Sequence, residues 1–294
     1  MCSRRSFSKA TTDWQVARRA SRLCPPRVIP LSVVLTMSSI SVVIPVFNDA
    51  RMLQRCLEAL ARQTRPADEI VVVDNGCTDD SVAVARSGGA RIVVEPKRGI
   101  APASAAGFDS ARGDIIARLD ADSIADPDWL RHIERRFDAD GSLDALTGTA
   151  DFTDAGRFTA WAGRALYLGW YFWALGLMLG HTPLFGSNLA LRASAWRRMR
   201  ETAHRDSATV HDDLDLSYQV RPGMVVCFDE QLRMQISARP FDSALSFAWR
   251  SWRGVATIAV NWSGWIHRRA LVVRARDTST DNVALARGEA TSLP

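Results

Sequence analysis

Four short clusters hold most of this chain's capacity for chemistry. Asp120-Ala121-Asp122 sets two carboxylates one residue apart. Such a pair can share a hard divalent cation, Mg2+ or Mn2+, with the phosphates of a ligand. A plain acidic turn before a helix would read the same. Asp212-Asp213-Leu214-Asp215-Leu216 crowds three carboxylates together. Their repulsion should raise at least one pKa, and a carboxyl with a raised pKa is a candidate general base for a hydroxyl nucleophile. Acids also favour a helix N-terminus for dipole reasons alone. Gly186-Ser187-Asn188 combines close backbone approach with an amide that both donates and accepts, which suits a polar substrate or a simple turn. Lys97-Arg98-Gly99 places two cations beside a glycine, as a phosphate contact or a solvated loop would.

The surrounding pattern shows what must position these clusters. Residues 40–45 (ISVVIP) form a short β-branched run closed by a proline, the pattern of a strand buried on both faces. Apolar residues at Met52, Leu53, Cys56, Leu57 and Leu60 make a helical stripe over 49–61. Strands follow at 70–73, 91–94 and 114–119, and helices at 81–86, 101–111 and from Asp126-Pro127 onward. Thr78, Asp79 and Asp80 are available to cap the helix at 81. Alternating strands and helices at this spacing predict an α/β fold with a mostly parallel central sheet flanked by helices. In such sheets ligands sit at the carboxyl ends of the strands. Phe47-Asn48-Asp49, Asp74-Asn75 and Asp120-Ala121-Asp122 all fall there.

Composition narrows the class. With 294 residues, 47% hydrophobic and 23% charged, the chain is neither disordered nor collagen-like. Cys2, Cys24, Cys56, Cys77 and Cys227 are scattered and form no CxxC, which tells against a disulfide scaffold or a structural zinc site and fits a reducing compartment. The net charge of +5 comes from residues 1–36, where Arg4, Arg5, Lys9, Arg18, Arg19, Arg22 and Arg27 face Asp13 alone. The remaining residues carry a net −1, so no nucleic-acid partner is expected. The segment 1–36 is read as sequence ahead of a true start at Met37, with a disordered basic tail or a transit peptide as alternatives. Residues 165–180 run sixteen positions without a charge, short of the roughly 20 needed to span a bilayer. A buried helix, or one at a membrane surface, is expected there. Residues 244–269 mix Trp249, Trp252, Trp262 and Trp265 with Arg250, Arg253, His267, Arg268 and Arg269. That is the composition of an interfacial helix or of aromatic-rich packing behind a pocket.

The clusters in their order read VVIPVFND at 42–49, VVVDNGCTDDS at 71–81, RG at 98–99, ARGDIIARLDADS at 111–123, GSNLALR at 186–192 and DDLDLS at 212–217. This series resembles family 2 of the glycosyltransferases, which have the GT-A fold, a Rossmann-like sheet. The resemblance covers about residues 40–236. It implies an inverting enzyme that moves a sugar from a nucleotide-diphosphate sugar to a hydroxyl acceptor with Mg2+ or Mn2+.

Position by position, the resemblance implies that Pro45, Val46, Phe47 and Asn48 line the base pocket and that Asp74 recognises the base. Arg98 and Gly99 then join the nucleotide-sugar contacts. Asp120 would stand near the ribose and Asp122 would hold the metal. Asp213 matches the general base. Gly186, Ser187, Asn188 and Asp212 fall on the acceptor side. There are departures. Asp212 stands where Glu is usual, Cys77 where Ser is common, and Ser104-Ala105 where Arg-Asn is frequent. The Gln-x-x-Arg-Trp signature of processive synthases is absent, which argues for single sugar transfer.

The implied organisation is a GT-A domain over 37–236, with a nucleotide-binding half at 40–123 and an acceptor half at 124–236. C-terminal aromatic-rich helices at 237–275 and a flexible tail at 276–294 would follow. The implied setting is cytoplasmic, peripheral on the inner face of the plasma membrane, with a lipid-linked acceptor in cell-envelope or exopolysaccharide synthesis. Two alternatives remain open. A nucleotidyltransferase would want a glycine-rich basic loop after the first strand, where this chain has Val46-Phe47-Asn48-Asp49. A non-catalytic, membrane-associated nucleotide-sugar-binding module would be expected to have lost an acid at 122 or 213. An NAD-dependent oxidoreductase is disfavoured because no GxGxxG follows any strand.

Overall fold

A computed structural model describes residues 37–152, 169–237, 249–262 and 264. The predicted segment 1–36 and tail 276–294 lie outside these residues, as do positions 165–168, 244–248 and 265–269 of the two aromatic stretches. The β-branched run becomes β1 (Ile40–Val46), with every residue buried. Its side chains alternate between two cores. Val42, Ile44 and Val46 pack with Leu53, Leu57 and Leu60 of α1 (Ala50–Ala61) and with Trp129, Leu130, Ile133 and Phe137 of α4 (Trp129–Ala139). Val43 points the other way, into a cluster with Phe108 of α3 (Ile100–Ser110), Trp196 and Met199 of α6 (Ala193–Met199) and Leu216 of α7 (Asp212–Gln219). This two-sided burial is why the strand reads as a continuous apolar run.

The remaining strands are β2 (Glu69–Asp74), β3 (Arg91–Val94), β4 (Ile115–Arg118), β5 (Ile124–Ala125), β6 (Leu143–Phe152), β7 (Leu189–Arg192) and β8 (Val225–Ile236). They form one eight-stranded sheet in the order β3-β2-β1-β4-β7-β6-β8-β5. The β3-β2-β1-β4 half is wholly parallel, as predicted. Beyond it β7 runs antiparallel to both β4 and β6, β6 is parallel to β8, and β5 is antiparallel to β8. The sheet is therefore continuous across the two expected halves of the domain.

Register fixes which loops meet. Val46 pairs with Asp74 and Asp74 with Val94, so β1, β2 and β3 end level. The reversal at β7 sets Leu189 opposite Arg118. The turn at 186–188 therefore lies beside Asp120-Ala121-Asp122, 67 residues away in sequence. Helix caps follow the same logic. Asp79 accepts the N–H of Ser81, at the start of α2 (Ser81–Ser87), and the N–H of Ala50, at the start of α1, each at 3.0 Å.

The charge-free stretch forms α5 (Gly169–Leu179). Phe172 packs against Phe228 with ring centroids 4.8 Å apart, and Leu179 is buried, while Trp173 and Leu177 are exposed. Residues 249–262 form a last helix, α8. Among the described residues, no helix is long and apolar enough to cross a membrane.

Candidate active site

The loops after β1 and β2 form one side of the candidate site. Pro45 and Val46 end β1 and are buried, so only Phe47 and Asn48 face outward. Asn48 has φ 49°, a left-handed conformation that Asn tolerates. Its Oδ1 accepts the Thr78 N–H at 2.7 Å and its Nδ2 donates to Thr78 Oγ1 at 3.1 Å, which welds the two loops together. The Arg98 guanidinium lies 3.2 Å above the Phe47 ring centroid and donates through Nη1 to the carbonyls of Asn75 and Gly76. Asp74 Oδ1 accepts the Cys77 N–H at 2.7 Å. Cys77 packs where a serine would, its Sγ 3.5 Å from the Val46 carbonyl.

Sequence reasoning placed Asn75 at a strand end without giving it a role. Its buried amide donates to the carbonyls of Glu95 and Lys97 and accepts the Gly99 N–H at 2.8 Å, so it sets the position of Arg98 and Gly99. At Gly99, φ is 140° and a Cβ would stand 3.0 Å from Ala208 Cα, so only glycine fits.

The second side gathers Asp120, Ser187, Gly186, Asp212 and Asp213 around Arg118, a residue that sequence reasoning did not single out. This guanidinium is 3% exposed. Its Nη2 reaches Asp120 Oδ1 at 2.8 Å and Asp212 Oδ2 at 3.0 Å. The signal was a lone cation ending an otherwise apolar buried strand, where a charge has to be paired. Ser187, expected on the acceptor side, donates to Asp120 Oδ2 at 2.5 Å. Asn188 is fully buried. Its Oδ1 accepts the Trp129 indole N–H and its Nδ2 donates to the carbonyls of Thr149 and Leu232, so it is a strut under the turn rather than a contact surface. Gly186 lets the turn close, since a Cβ there would stand 2.0 Å from Arg118 Nη1.

Asp212 and Asp213 open α7, where the unpaired N–H groups favour acids. Their environments differ. Asp212 is buried, and Oδ2 takes both Arg118 and the Ser104 hydroxyl at 2.6 Å. Burial pushes its carboxyl up, but Arg118 and Ser104 outweigh this and hold it below the usual range. Asp212 Oδ2 is thus committed to Arg118 and Ser104. Asp213 Oδ2 accepts the Gly186 N–H at 3.1 Å. Burial, and then the neighbouring Asp212 charge, push its carboxyl up. Asp215 is buried beneath His204, Gln219 and Asn261, with His204 Nδ1 at 2.7 Å and Asn261 Nδ2 at 2.8 Å, and acts as a brace.

No group of three His, Cys, Asp or Glu capable of holding a metal occurs among the described residues. The chemistry of the donor set still fits Mg2+ or Mn2+. Partly exposed Asp122, beside Asp120, supplies hard carboxylate oxygen, and such ions take their remaining ligands from diphosphate and water.

Glycosyltransferase AglE of Haloferax volcanii is 32% identical over 126 residues, 40% of this chain and 41% of that protein. The putative glycosyltransferase EpsH of Bacillus subtilis is 27% identical over 124 residues, 40% of this chain and 36% of that protein. The matched stretch thus spans about two-fifths of the length of these curated relatives. Among solved structures, the mannosyltransferase PcManGT of Pyrobaculum calidifontis, in complex with GDP-Man and Mn2+, superposes with a TM-score of 0.59 at 18% identity. That alignment covers 97% of this chain and 85% of the other. Glucosyl-3-phosphoglycerate synthase of Mycobacterium tuberculosis, with Mg2+ and UDP, gives 0.57 at 22% identity over 76% and 79% of the two chains. Both show the fold, a curled GT-A sheet flanked by helices. Residues 41–205 match the family described as Glycosyl transferase family 2, more than half of the chain, and the chain belongs to that family.

Proposed function

We propose that the protein is an inverting glycosyltransferase, moving a sugar from a nucleotide-diphosphate sugar to a hydroxyl acceptor. One observation carries this reading. Of two adjacent acids at the start of α7, Asp212 is held ionised by Arg118 and Ser104, while Asp213 is left with a raised pKa beside the Gly186 turn. A carboxyl tuned upward suits proton removal near neutral pH.

In this reading Phe47, Asp74, Arg98 and Gly99 seat the nucleotide, and Asp120 faces its ribose. Asp122 would hold Mg2+ or Mn2+, which when bound offsets the negative charge on the departing diphosphate. Asp213 takes the acceptor hydroxyl proton as that oxygen bonds to the anomeric carbon. The bond from that carbon to the diphosphate oxygen breaks with its electron pair, and a single in-line displacement inverts the centre. The ligands named for the mannosyltransferase and the synthase, GDP-Man with Mn2+ and UDP with Mg2+, support the donor class.

The place of work is proposed to be the inner membrane face, with a lipid-linked acceptor in envelope or exopolysaccharide synthesis. On α8, Trp249, Trp252, Val255, Val260 and Trp262 are all exposed, and the Trp249 and Trp252 rings stack at 4.9 Å. Its opposite side is fastened inward by polar groups. Thr257 Oγ1 accepts the His211 N–H, and Asn261 reaches Asp215. A helix anchored by polar contacts that turns tryptophans and Arg250 outward suits a headgroup layer.

The test is a panel of nucleotide sugars incubated with Mn2+ and short polyprenyl-phosphate or sugar acceptors. Metal-dependent release of nucleoside diphosphate, with inverted anomeric configuration of the product by NMR, is expected. Retention of configuration, or no release from any donor, would reject the reading.

A further inference from the structure

Arg118 is the buried charge that joins the Asp120 turn to the start of α7. It ends β4, whose other residues are apolar and buried. One nitrogen, Nη2, serves two carboxylates from distant parts of the chain, Asp120 and Asp212. Its Nε has no hydrogen-bond partner among the described residues. A guanidinium buried at a cost in solvation, with its donors only partly used, is poorly explained by stability alone. Packing is arranged around it, since residue 186 can carry no Cβ without meeting Nη1.

The partners show what the charge does. Asp120 has both oxygens committed, Oδ1 to Arg118 and Oδ2 to Ser187, so the carboxylate has one orientation. Asp212 has Oδ2 committed to Arg118 and Ser104, which pins the first residue of α7 and hence the direction of Asp213 next to it. Asp122 and Asp213 also lie within the field of Arg118. Without the cation, acids converging from β4 and α7 would repel one another and swing apart.

We infer that Arg118 is a positioning residue for the transfer reaction, a single buried cation that orients Asp120 toward the nucleotide and, through Asp212, sets Asp213 at the acceptor. The inference rests on the glycosyl-transfer reading above. It adds that donor binding and proton removal share one internal counter-charge.

The experiment compares the full chain with R118M, D212N and the R118M/D212N double variant. Three readouts are taken: calorimetric titration with UDP and with GDP in Mn2+, steady-state kcat and KM for the donors found active, and urea unfolding. For R118M, nucleotide affinity should fall by about tenfold from loss of the charge-assisted contact that aligns Asp120. Its kcat should fall by about 100-fold, as a base displaced by about an ångström would cost. In urea, D212N added to R118M should recover part of the lost midpoint, because the two groups are coupled. Should R118M alone fail to fold, the double variant still reads the weakened nucleotide affinity. A purely structural role would lower the urea midpoint but leave Kd, KM and kcat per folded molecule within about threefold of wild type, and that result overturns the inference. Zero coupling between positions 118 and 212 in an active enzyme also overturns it alone. A wild-type chain that binds no nucleoside diphosphate overturns the transfer reading, and this inference with it.

Discussion

The Ser104 hydroxyl donates to Asp212 Oδ2 at 2.6 Å, joining α3 to the start of α7 across 108 residues. The short Ser104 side chain thus reaches an acid next to the proposed base. Ser104→Ala should cost about 1.5–3 kcal/mol at neutral pH, the range for a hydrogen bond to a charged group. The sign with pH follows from the lowered Asp212 carboxyl. Its stabilisation is present above the unfolded value of about 3.9 and is lost as pH falls through the folded value. Urea midpoints of wild type and variant should therefore converge in acid.

Asp213→Asn keeps the shape of the side chain and removes the proton acceptor. Turnover should fall by about 10²–10⁴ with nucleotide affinity retained. Collapse of donor binding instead would assign Asp213 to substrate contact.

The raised Asp213 carboxyl also gives a pH signature. The folded state holds this proton more tightly than the unfolded chain, so ionisation costs stability as pH rises from about 3.9 through the folded value. At neutral pH Asp213→Asn should thus be more stable than wild type in urea. The acid limb of the wild-type kcat/KM profile should rise through the same raised pKa. A variant less stable at every pH would contradict this assignment.

Asp122→Ala should reduce transfer to background and abolish the Mn2+-dependent part of nucleotide binding, with an unchanged circular dichroism spectrum. Full activity in that variant would remove the metal assignment.

Gly186→Ala places a methyl 2.0 Å from Arg118 Nη1, and its relief means moving a buried charge. A loss of about 1–3 kcal/mol in urea is expected from overpacking, together with loss of turnover. A neutral effect on both would mean that the turn yields freely.

The membrane proposal is read by flotation. The chain from Met37 should bind anionic liposomes at low salt and be released by high salt or detergent. Trp249→Ser with Trp252→Ser should weaken binding without changing the melting temperature, since both rings are already exposed. A wild-type chain that stays wholly unbound would favour a soluble acceptor.

What the sequence by itself determined is local. Residues 40–45 read as a strand because the run is β-branched and apolar, and 49–61 reads as a helix because one face is apolar; the strand itself continues through Pro45 to Val46. Polar clusters at three strand ends point to the carboxyl edge of the sheet as the place for a ligand. The tertiary structure decided how these pieces divide the chemistry. Antiparallel pairing of β7 with β4 carried Ser187 to Asp120, which no property of either segment specifies. Asn188 looked like a contact and became a buried strut, because its surroundings are main-chain carbonyls and an indole from three other segments. Asp212 and Asp213 are adjacent and chemically identical. Which one stays ionised and which is tuned upward depends on where Arg118 and Ser104 lie. A carboxylate's pKa is set by burial and by charges a few ångströms away in space, whatever their separation along the chain.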